Sequence, residues 1–478
     1  MTLSTTDVSV ERDHFFIDGT WVTPRETSVI EVENPATETT FGRVPAGDAA
    51  DVDAAVTSAA RAFEHWSQTS VQERKTLLEG FTDALAARRE DIAQLVTAEM
   101  GTPIELSRVA QADLPVSVLR GLTTALEQIE FVETIGNSKV VREPAGVVGA
   151  ITPWNYPVHQ AVTKLGAALA AGCTVVLKPS EITPLSAYLI AEAAMEAQLP
   201  PGVFNLVTGD GAGVGQALAA HPGVDVVSFT GSTRGGRAVM QTAAGTIKRV
   251  SLELGGKSAN VLLPDGDLER AVRRGVEHIL ENSGQTCTAW TRLVVPRERQ
   301  DEVIDIVREE FAAIVIGDPN DPATTVGPVA TANQRAVVEK FVARGVEQNA
   351  RVAAGDLASR DGRGHFVNPV AFADVESGMD IAQEEIFGPV LAILPYDSEA
   401  QAVQISNDTV YGLSGAVWSS DQERAFEFAR KMRTGMVSVN GGSFNTAAPF
   451  GGFKQSGFGR EFGRYGVEDF LEIKSIQL

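Results

Sequence analysis

The feature that most constrains the fold is a repeated alternation of short apolar runs with alanine-rich segments between residues 140 and 254. The apolar runs, rich in β-branched residues, are Gly146–Ile151, Thr174–Leu177, Phe204–Val207, Val224–Phe229 and Arg249–Leu252. The segments between them have apolar residues at helical spacing, which predicts helices at about 158–171, 183–198, 211–220 and 232–244. This alternation predicts a parallel, doubly wound sheet with helices on both faces.

A second alternating region begins near Ala259, after a boundary that we place at Gly255-Gly256. Its strand signals are Leu293–Val295, Val390–Leu394, Gly415–Trp418 and Met436–Val439. Upstream of both regions, helical patterns cover Val71–Glu99 and about 102–130. A chain of 478 residues is expected to form two or three domains. We therefore predict that the region beginning near Ala259 forms a second α/β domain.

Composition excludes several classes of function. The formal charge of −22 argues against nucleic acid or an anionic membrane as the main partner. Two cysteines cannot build a disulfide framework, which favours a reducing cytoplasm. The six histidines are scattered without metal-ligand spacing, so we predict no metal site. The first residues, M-T-L-S-T-T-D-V-S-V-E-R-D, do not resemble a signal peptide, and no apolar run reaches the length of a membrane span.

Ligands of doubly wound sheets bind at the carboxyl ends of the strands, so the residues after each strand matter most. One such stretch, Pro153–Pro157, opens a helix, and its two prolines could hold the Asn155 amide as a donor for an oxyanion. A simple N-cap is the alternative for Asn155. A cysteine, Cys173, lies in the strand C-T-V-V-L, where we expect only packing.

Three further strand ends carry candidate groups. Lys178 and Glu181 could bond the hydroxyls of a ribose, although a solvated turn is the alternative. The run Gly231–Gly236 opens a helix whose N–H groups could accept a pyrophosphate. Neither it nor Gly209–Gly215, which contains the candidate Gly211, matches the G-x-G-x-x-G fingerprint. Glu253 ends a strand beside glycines and could be a general base, with a surface ion pair as the alternative.

The strongest nucleophile candidate is Cys287, in the stretch E-N-S-G-Q-T-C-T-A-W. Its neighbours are Ser283, Gln285, Thr286 and Thr288 rather than the aliphatic residues that surround a packing cysteine. A free thiol is mostly protonated at neutral pH. Either its pKa must be lowered by the surroundings, or a base must act first.

Taken together, these stretches resemble the aldehyde dehydrogenase superfamily, the NAD(P)-dependent enzymes that oxidise aldehydes to acids. The resemblance runs from about Phe16 to the C-terminus. Its motifs, in order, are P-W-N-Y-P, K-P-S-E, F-T-G-S-T, L-E-L-G-G-K, G-Q-T-C, E-E-I-F-G-P and P-F-G-G-F-K-Q-S-G-F-G-R-E. Seven motifs in this order make coincidence an inadequate explanation.

The resemblance implies a role for each matched position. Cys287 would be the nucleophile, Asn155 would help form the oxyanion hole, and Glu253 would activate water. The residues that would bind the cofactor are Trp154, Lys178, Glu181, Gly211, Gly231, Ser232, Gln334, Glu385 and Phe387. Glu461 resembles a second carboxylate that exchanges protons with Glu253.

The resemblance also implies an architecture. A Rossmann-type NAD-binding domain would comprise residues 1–125 and 145–256, and a second α/β domain, the catalytic one, residues 257–456. A small β bridging element, residues 126–144 and 457–478, would build homodimers or homotetramers. The closing run Glu472–Leu478 alternates like an edge strand, which fits this role.

Some choices stay open within the family. NAD is favoured over NADP, because Glu181 would repel a 2′-phosphate, and Glu253 favours hydrolysis over transfer to CoA. No Arg or Lys is placed by motif to clamp a substrate anion, so we predict an uncharged aldehyde. The alternatives are a CoA-acylating semialdehyde dehydrogenase and a non-catalytic, crystallin-like protein.

Overall fold

A computed structural model describes residues 10–478. Most of the N-terminal segment for which we predict no signal peptide, and the first residues of the predicted first domain, lie outside the described residues. The strands are β1 (Val10–Glu11), β2 (Phe15–Ile17), β3 (Thr20–Val22), β4 (Val29–Asn34), β5 (Thr39–Pro45), β6 (Val132–Ile135), β7 (Ser138–Pro144), β8 (Val147–Ile151), β9 (Thr174–Lys178), β10 (Phe204–Leu206), β11 (Val226–Thr230), β12 (Arg249–Glu253), β13 (Ala259–Leu262), β14 (Arg292–Pro296), β15 (Arg351–Gly355), β16 (Val370–Ala373), β17 (Val390–Tyr396), β18 (Gly415–Trp418), β19 (Ser438–Val439), β20 (Gly457–Phe458) and β21 (Leu471–Gln477).

The α-helices flank these strands. They are α1 (Ala49–Trp66), α2 (Val71–Ala86), α3 (Arg89–Met100), α4 (Ile104–Leu106), α5 (Leu114–Glu127), α6 (Pro157–Ala171), α7 (Ser186–Glu196), α8 (Gln216–Ala220), α9 (Thr233–Ala243), α10 (Leu268–Leu280), α11 (Gln300–Ala312), α12 (Ala332–Glu347), α13 (Asp380–Gln383), α14 (Glu399–Asn407), α15 (Gln422–Ala429) and α16 (Gly463–Glu468). None of the helices described for residues 10–478 is long and apolar enough to cross a membrane.

The predicted doubly wound sheet is confirmed. Its strand order is β20-β12-β11-β8-β9-β10-β2-β3, and the five strands from β12 to β10 are parallel. Chain order runs outward from β8 through β9 and β10 on one side, and through β11 and β12 on the other. The switch point, where such sheets bind ligands, therefore lies between β8 and β11.

The second α/β unit is built on a sheet of order β15-β16-β17-β14-β13-β18-β19. All its neighbouring strands are parallel except the outer pair β15–β16. Apolar clusters cover both faces of each large sheet, which explains the continuous apolar runs in the sequence. A separate three-stranded sheet of order β21-β7-β6 is formed by segments that the sequence assigns to the bridging element.

Several sequence predictions of local structure are wrong in detail. The helix predicted over 71–99 is two helices, α2 and α3, and the helix predicted over 102–130 contains a π-helical segment, Ser107–Asp113. Pro115 in the first turn of α5 explains the second difference, because proline cannot donate the next helical hydrogen bond. The short strand β20, assigned by sequence to the bridging element, pairs with β12 in the first sheet.

Candidate active site

The predicted strand-end residues converge on one edge of the first sheet. β12, β11, β8 and β9 are neighbours and parallel, so their carboxyl ends lie side by side. Glu253 is the last residue of β12, Lys178 is the last residue of β9, and Asn155 follows β8. The sequence-predicted groups are thus brought together by the topology itself.

The loop before Cys287 has an unusual backbone. Asn282, Ser283 and Gly284 all have left-handed conformations, with φ of 53°, 58° and 78°. A Cβ added at Gly284 would overlap the backbone carbonyl carbon of Gly388, so glycine is required there on steric grounds. This turn leaves Cys287 half-buried, with its side chain on the wall of a cavity.

That cavity has a volume of about 780 Å³ and lies between the two large α/β units. Several aromatic rings line it, including Tyr156, Trp290, Phe450 and Phe462. His159 also lines it, and burial lowers the pKa of this histidine to about 4, so it is neutral at physiological pH. The cavity is large enough for a drug-sized molecule and mostly apolar.

Asn155 lies beside the nucleophile loop. Its Nδ2 donates to the backbone carbonyl of Gln285 at 2.9 Å, which joins it to a residue two positions before Cys287. An amide nitrogen has two N–H groups, so one stays free to bind a developing oxyanion. The N-cap alternative for Asn155 is wrong: α6 begins after Tyr156 and has no side-chain cap.

The environment of Cys287 does not favour its thiolate. Burial raises the pKa of the thiol to about 12, and charge repulsion from Glu385, Glu253 and Glu461 adds to the shift. Of the two possibilities left open by the sequence, a lowered thiol pKa is therefore wrong for this state of the protein. A base must take the proton before or while the sulfur attacks.

We expect alkylation of Cys287 by iodoacetamide in the cofactor-free protein to accelerate about tenfold per pH unit between about pH 7 and 9, because only the thiolate reacts. The adduct is measured by mass spectrometry at each pH. Cys287→Ser is the matched control, since the remaining Cys173 is fully buried. A rate that is already constant below about pH 7 would contradict the raised pKa.

Glu253 belongs to a buried charged cluster rather than to a surface ion pair, so that alternative is wrong. Neither of its carboxylate oxygens has a hydrogen-bond partner among the described residues. Burial and then the neighbouring Glu461 raise the pKa of Glu253 well above its usual value, while Lys164 and Arg460 act in the opposite direction. Lys164 Nζ bonds Glu461 Oε1 at 2.6 Å.

Glu385 lies where the two large sheets meet. Its Oε1 accepts from the backbone N–H of Gly256 at 3.0 Å, and a Cβ at Gly255 would overlap its carboxylate. A Cβ at Gly256 would lie 2.7 Å from the backbone oxygen of Cys287. The glycine pair Gly255-Gly256 therefore contacts the carboxyl group of Glu385 through one glycine and the backbone of Cys287 through the other.

Two predicted aromatic residues contact each other next to this point. The rings of Trp154 and Phe387 are 5.3 Å apart and nearly perpendicular, at 86°. Gln334 Nε2 donates to the backbone carbonyls of Ile386 and Phe387, both at 2.9 Å. The Gln334 amide therefore holds the left-handed backbone of Phe387 (φ 57°).

The other predicted cofactor residues lie along the same sheet edge. Lys178 is buried and pairs with Glu181 Oε2 at 2.9 Å, so a fully solvated turn is the wrong description of it. Ser232 caps α9 by accepting from the N–H of Gly235, and no acidic residue occurs in the first turn of that helix. Gly231 precedes the cap, and Gly211 begins the short turn after β10.

Three charged residues of the site were not foreseen from the sequence. Lys164 is a buried charge in the otherwise apolar helix α6, and that exception in the pattern is the signal that could have identified it. Arg274 and Arg430 line the cavity, although no motif of the sequence indicates them. Each is paired with a glutamate of its own helical segment, Glu277 and Glu427.

The chain is similar to known proteins over nearly its whole length. Residues 21–476 match the model of the aldehyde dehydrogenase family. A relative from Pseudomonas sp, named 3-succinoylsemialdehyde-pyridine dehydrogenase, is 50% identical over 465 residues, which are 97% of this chain and 98% of the relative.

Solved structures show the same similarity. Aldehyde dehydrogenase C from Pseudomonas syringae, crystallised as a variant with NAD+ and octanal, superimposes with a TM-score of 0.96 at 45% identity, over 97% of this chain and 96% of that one. The Mycobacterium tuberculosis aldehyde dehydrogenase complexed with NAD+ gives a TM-score of 0.96 at 43% identity, over 98% of this chain and 99% of that one.

Proposed function

The chain belongs to the aldehyde dehydrogenase family, and we propose that it oxidises an uncharged aldehyde to the carboxylic acid with NAD, through a thioester on Cys287. One observation carries the assignment to these residues. Cys287 lines a largely apolar cavity and lies across a glycine pair from Glu385, at the edge where the predicted cofactor residues converge.

The cofactor residues fit a dinucleotide. The N-terminus of α9 offers N–H groups without a competing acidic side chain, which suits a pyrophosphate. The Lys178–Glu181 pair suits ribose hydroxyls, and the Glu181 carboxylate disfavours a 2′-phosphate. NAD+ is present in the Pseudomonas syringae and Mycobacterium tuberculosis structures. A higher kcat/KM with NADP than with NAD would contradict the role of Glu181.

In the first half-reaction, Glu253, the candidate base, takes the proton of the Cys287 thiol and passes it to solvent, Sγ attacks the aldehyde carbon, and the carbonyl oxygen becomes an alkoxide. The second N–H of Asn155 Nδ2 and the backbone N–H of Cys287 stabilise that charge. One such donor contributes about 3–4 kcal/mol in comparable sites. NAD, when bound, would supply the hydride acceptor, and loss of the hydride from the former aldehyde carbon leaves a thioester on Cys287.

In the second half-reaction, Glu253 takes a proton from water, and the resulting hydroxide displaces Cys287 from the acyl carbon. A raised pKa suits this role, because a general base works best with a pKa near the working pH. The CoA-acylating alternative is disfavoured by the presence of this glutamate. The crystallin-like alternative is disfavoured by the intact set of Cys287, Glu253 and Asn155.

The substrate we propose is an uncharged aldehyde with an apolar or aromatic body. The cavity supports this by its mostly apolar lining, and Arg274 and Arg430 each have a neighbouring glutamate that offsets their positive charge. The solved Pseudomonas syringae relative contains octanal, and the Pseudomonas sp relative is named for an aldehyde that carries a pyridine ring.

The decisive experiment measures NADH formation across a panel of aliphatic, aromatic and anionic aldehydes, with and without CoA. Turnover without CoA that is lost in Cys287→Ser is expected. Turnover that requires CoA would favour the acylating alternative. Absence of NADH from every aldehyde would favour the structural one.

We also propose a cytoplasmic homodimer or homotetramer. The sheet β21-β7-β6 exposes several aliphatic side chains, namely Val132, Ile135, Ile473 and Ile476. Its edge strand β21 pairs only with β7 among residues 10–478, so its other edge can meet another copy. Both cysteines are unpaired, as a reducing compartment requires. Light scattering of the purified protein, compared with an Ile473→Lys variant, tests the assembly.

A further inference from the structure

Asn282, five residues before the nucleophile, is almost fully buried and has a left-handed backbone with φ 53° and ψ 35°. Asparagine tolerates this conformation better than most residues, but glycine tolerates it best. Backbone geometry alone would therefore be satisfied by glycine. The side chain of Asn282 needs a separate explanation, and its hydrogen bonds supply one.

Every polar atom of the Asn282 side chain is used. Nδ2 donates to the backbone oxygen of Asn155 at 3.0 Å and, more weakly, to that of Gln285 at 3.4 Å. Oδ1 accepts from the Thr102 hydroxyl at 2.7 Å. One amide thus connects the segment that carries the oxyanion donor to the loop that carries the nucleophile.

The connection forms a closed ring. Asn155 Nδ2 donates to the same Gln285 oxygen at 2.9 Å, so the backbone of Asn155 and its side chain are both fixed relative to one peptide of the nucleophile loop. Within the nucleophile loop, Gln285 Nε2 donates to the backbone carbonyl of Asn282 at 3.0 Å. Gln111 Nε2 adds a second donor to the Asn155 carbonyl, at 2.9 Å.

We propose that Asn282 is a positioning residue of the reaction: it sets the distance between the Asn155 oxyanion donor and the Cys287 sulfur. The inference rests on the proposed function, since it assigns Asn282 to the geometry of that same site. A displacement of about 1 Å in such a site costs about 100-fold in rate. Asn282 acts through Asn155 and need not touch the substrate.

The test compares Asn282→Gly with a matched variant, Asn349→Gly. Glycine preserves the left-handed backbone at both positions, and Asn349 (φ 63°) is an exposed residue after α12. We expect Asn282→Gly to lower kcat about 100-fold, with the KM for NAD and the rate of Cys287 alkylation by iodoacetamide little changed. Alkylation forms no oxyanion, so it reports an intact loop. Asn349→Gly should behave as the parent protein.

A double variant decides whether Asn282 acts through Asn155. Asn155→Ala removes the donor, so adding Asn282→Gly to it should cost less than about threefold more, whereas independent effects would multiply. Multiplied losses, or a parent-like kcat in Asn282→Gly while Asn155→Ala is slow, would overturn the inference. A parent-like kcat in Asn155→Ala would instead overturn the proposed oxyanion role.

If Asn282→Gly does not fold, Thr102→Val takes its place. This variant removes only the hydroxyl that donates to Asn282 Oδ1, so kcat is compared with and without Asn155→Ala in the same way, and a smaller loss is expected.

Discussion

Replacing Glu253 with glutamine is expected to lower steady-state turnover by about 10²- to 10⁴-fold, the usual contribution of a general base. Both carboxylate oxygens of Glu253 are free of protein partners, and its Oε1 lies close to where a Cβ on Gly451 would be, at 2.8 Å. Neither oxygen is therefore committed to a protein donor in the part of the chain that the structure describes. Glutamine has the same size but cannot take the proton, so the thioester on Cys287 should accumulate.

Rapid-mixing measurements should then show a burst of about one NADH per active site, followed by slow turnover. A full burst amplitude requires that acylation remain faster than hydrolysis in the variant, because Glu253 can also assist deprotonation of Cys287. Mass spectrometry should detect the acyl group on the protein. Glu423→Gln, on the exposed face of α15, is the control. Unchanged turnover would rule out this role, whereas loss of the burst amplitude would show that the variant also makes acylation rate-limiting.

The fold was largely predictable because its signals are local. β8, β9, β11 and β12 lie within about two residues of the predicted runs, since a buried strand needs a continuous apolar segment. The break between α2 and α3 was missed, because its sequence, Ala87-Arg88, contains neither glycine nor proline. β15 and β16 were missed as well, since their short alanine-containing runs carry a weak strand signal.

The candidate site was predictable where one short motif contains both a reactive side chain and the neighbouring residues that indicate its role. Cys287 and Asn155 were identified in this way, and the structure adds that a hydrogen bond to Gln285 joins their two segments. Contacts between distant parts of the chain could not be predicted. Lys164 and Glu461 are separated by 297 positions, and no local pattern indicates that they meet.

The second large predicted effect is the loss of stability when the buried Lys164–Glu461 pair is broken. Both side chains are buried, with 1% and 8% exposure, and Glu461 Oε2 has no partner among the described residues. Removing one member of a buried pair leaves an uncompensated charge and costs about 3–5 kcal/mol of stability. We therefore expect Lys164→Met to lower the melting temperature by several degrees at neutral pH.

Two measurements separate this explanation from a simple packing defect. Adding Glu461→Gln to Lys164→Met should restore most of the melting temperature, because no unpaired charge remains. Lys164 lowers the pKa of Glu253, so its loss should also shift the rise of kcat with pH towards alkaline values. A deficit that Glu461→Gln does not relieve would show that Lys164 contributes mainly through its aliphatic stem.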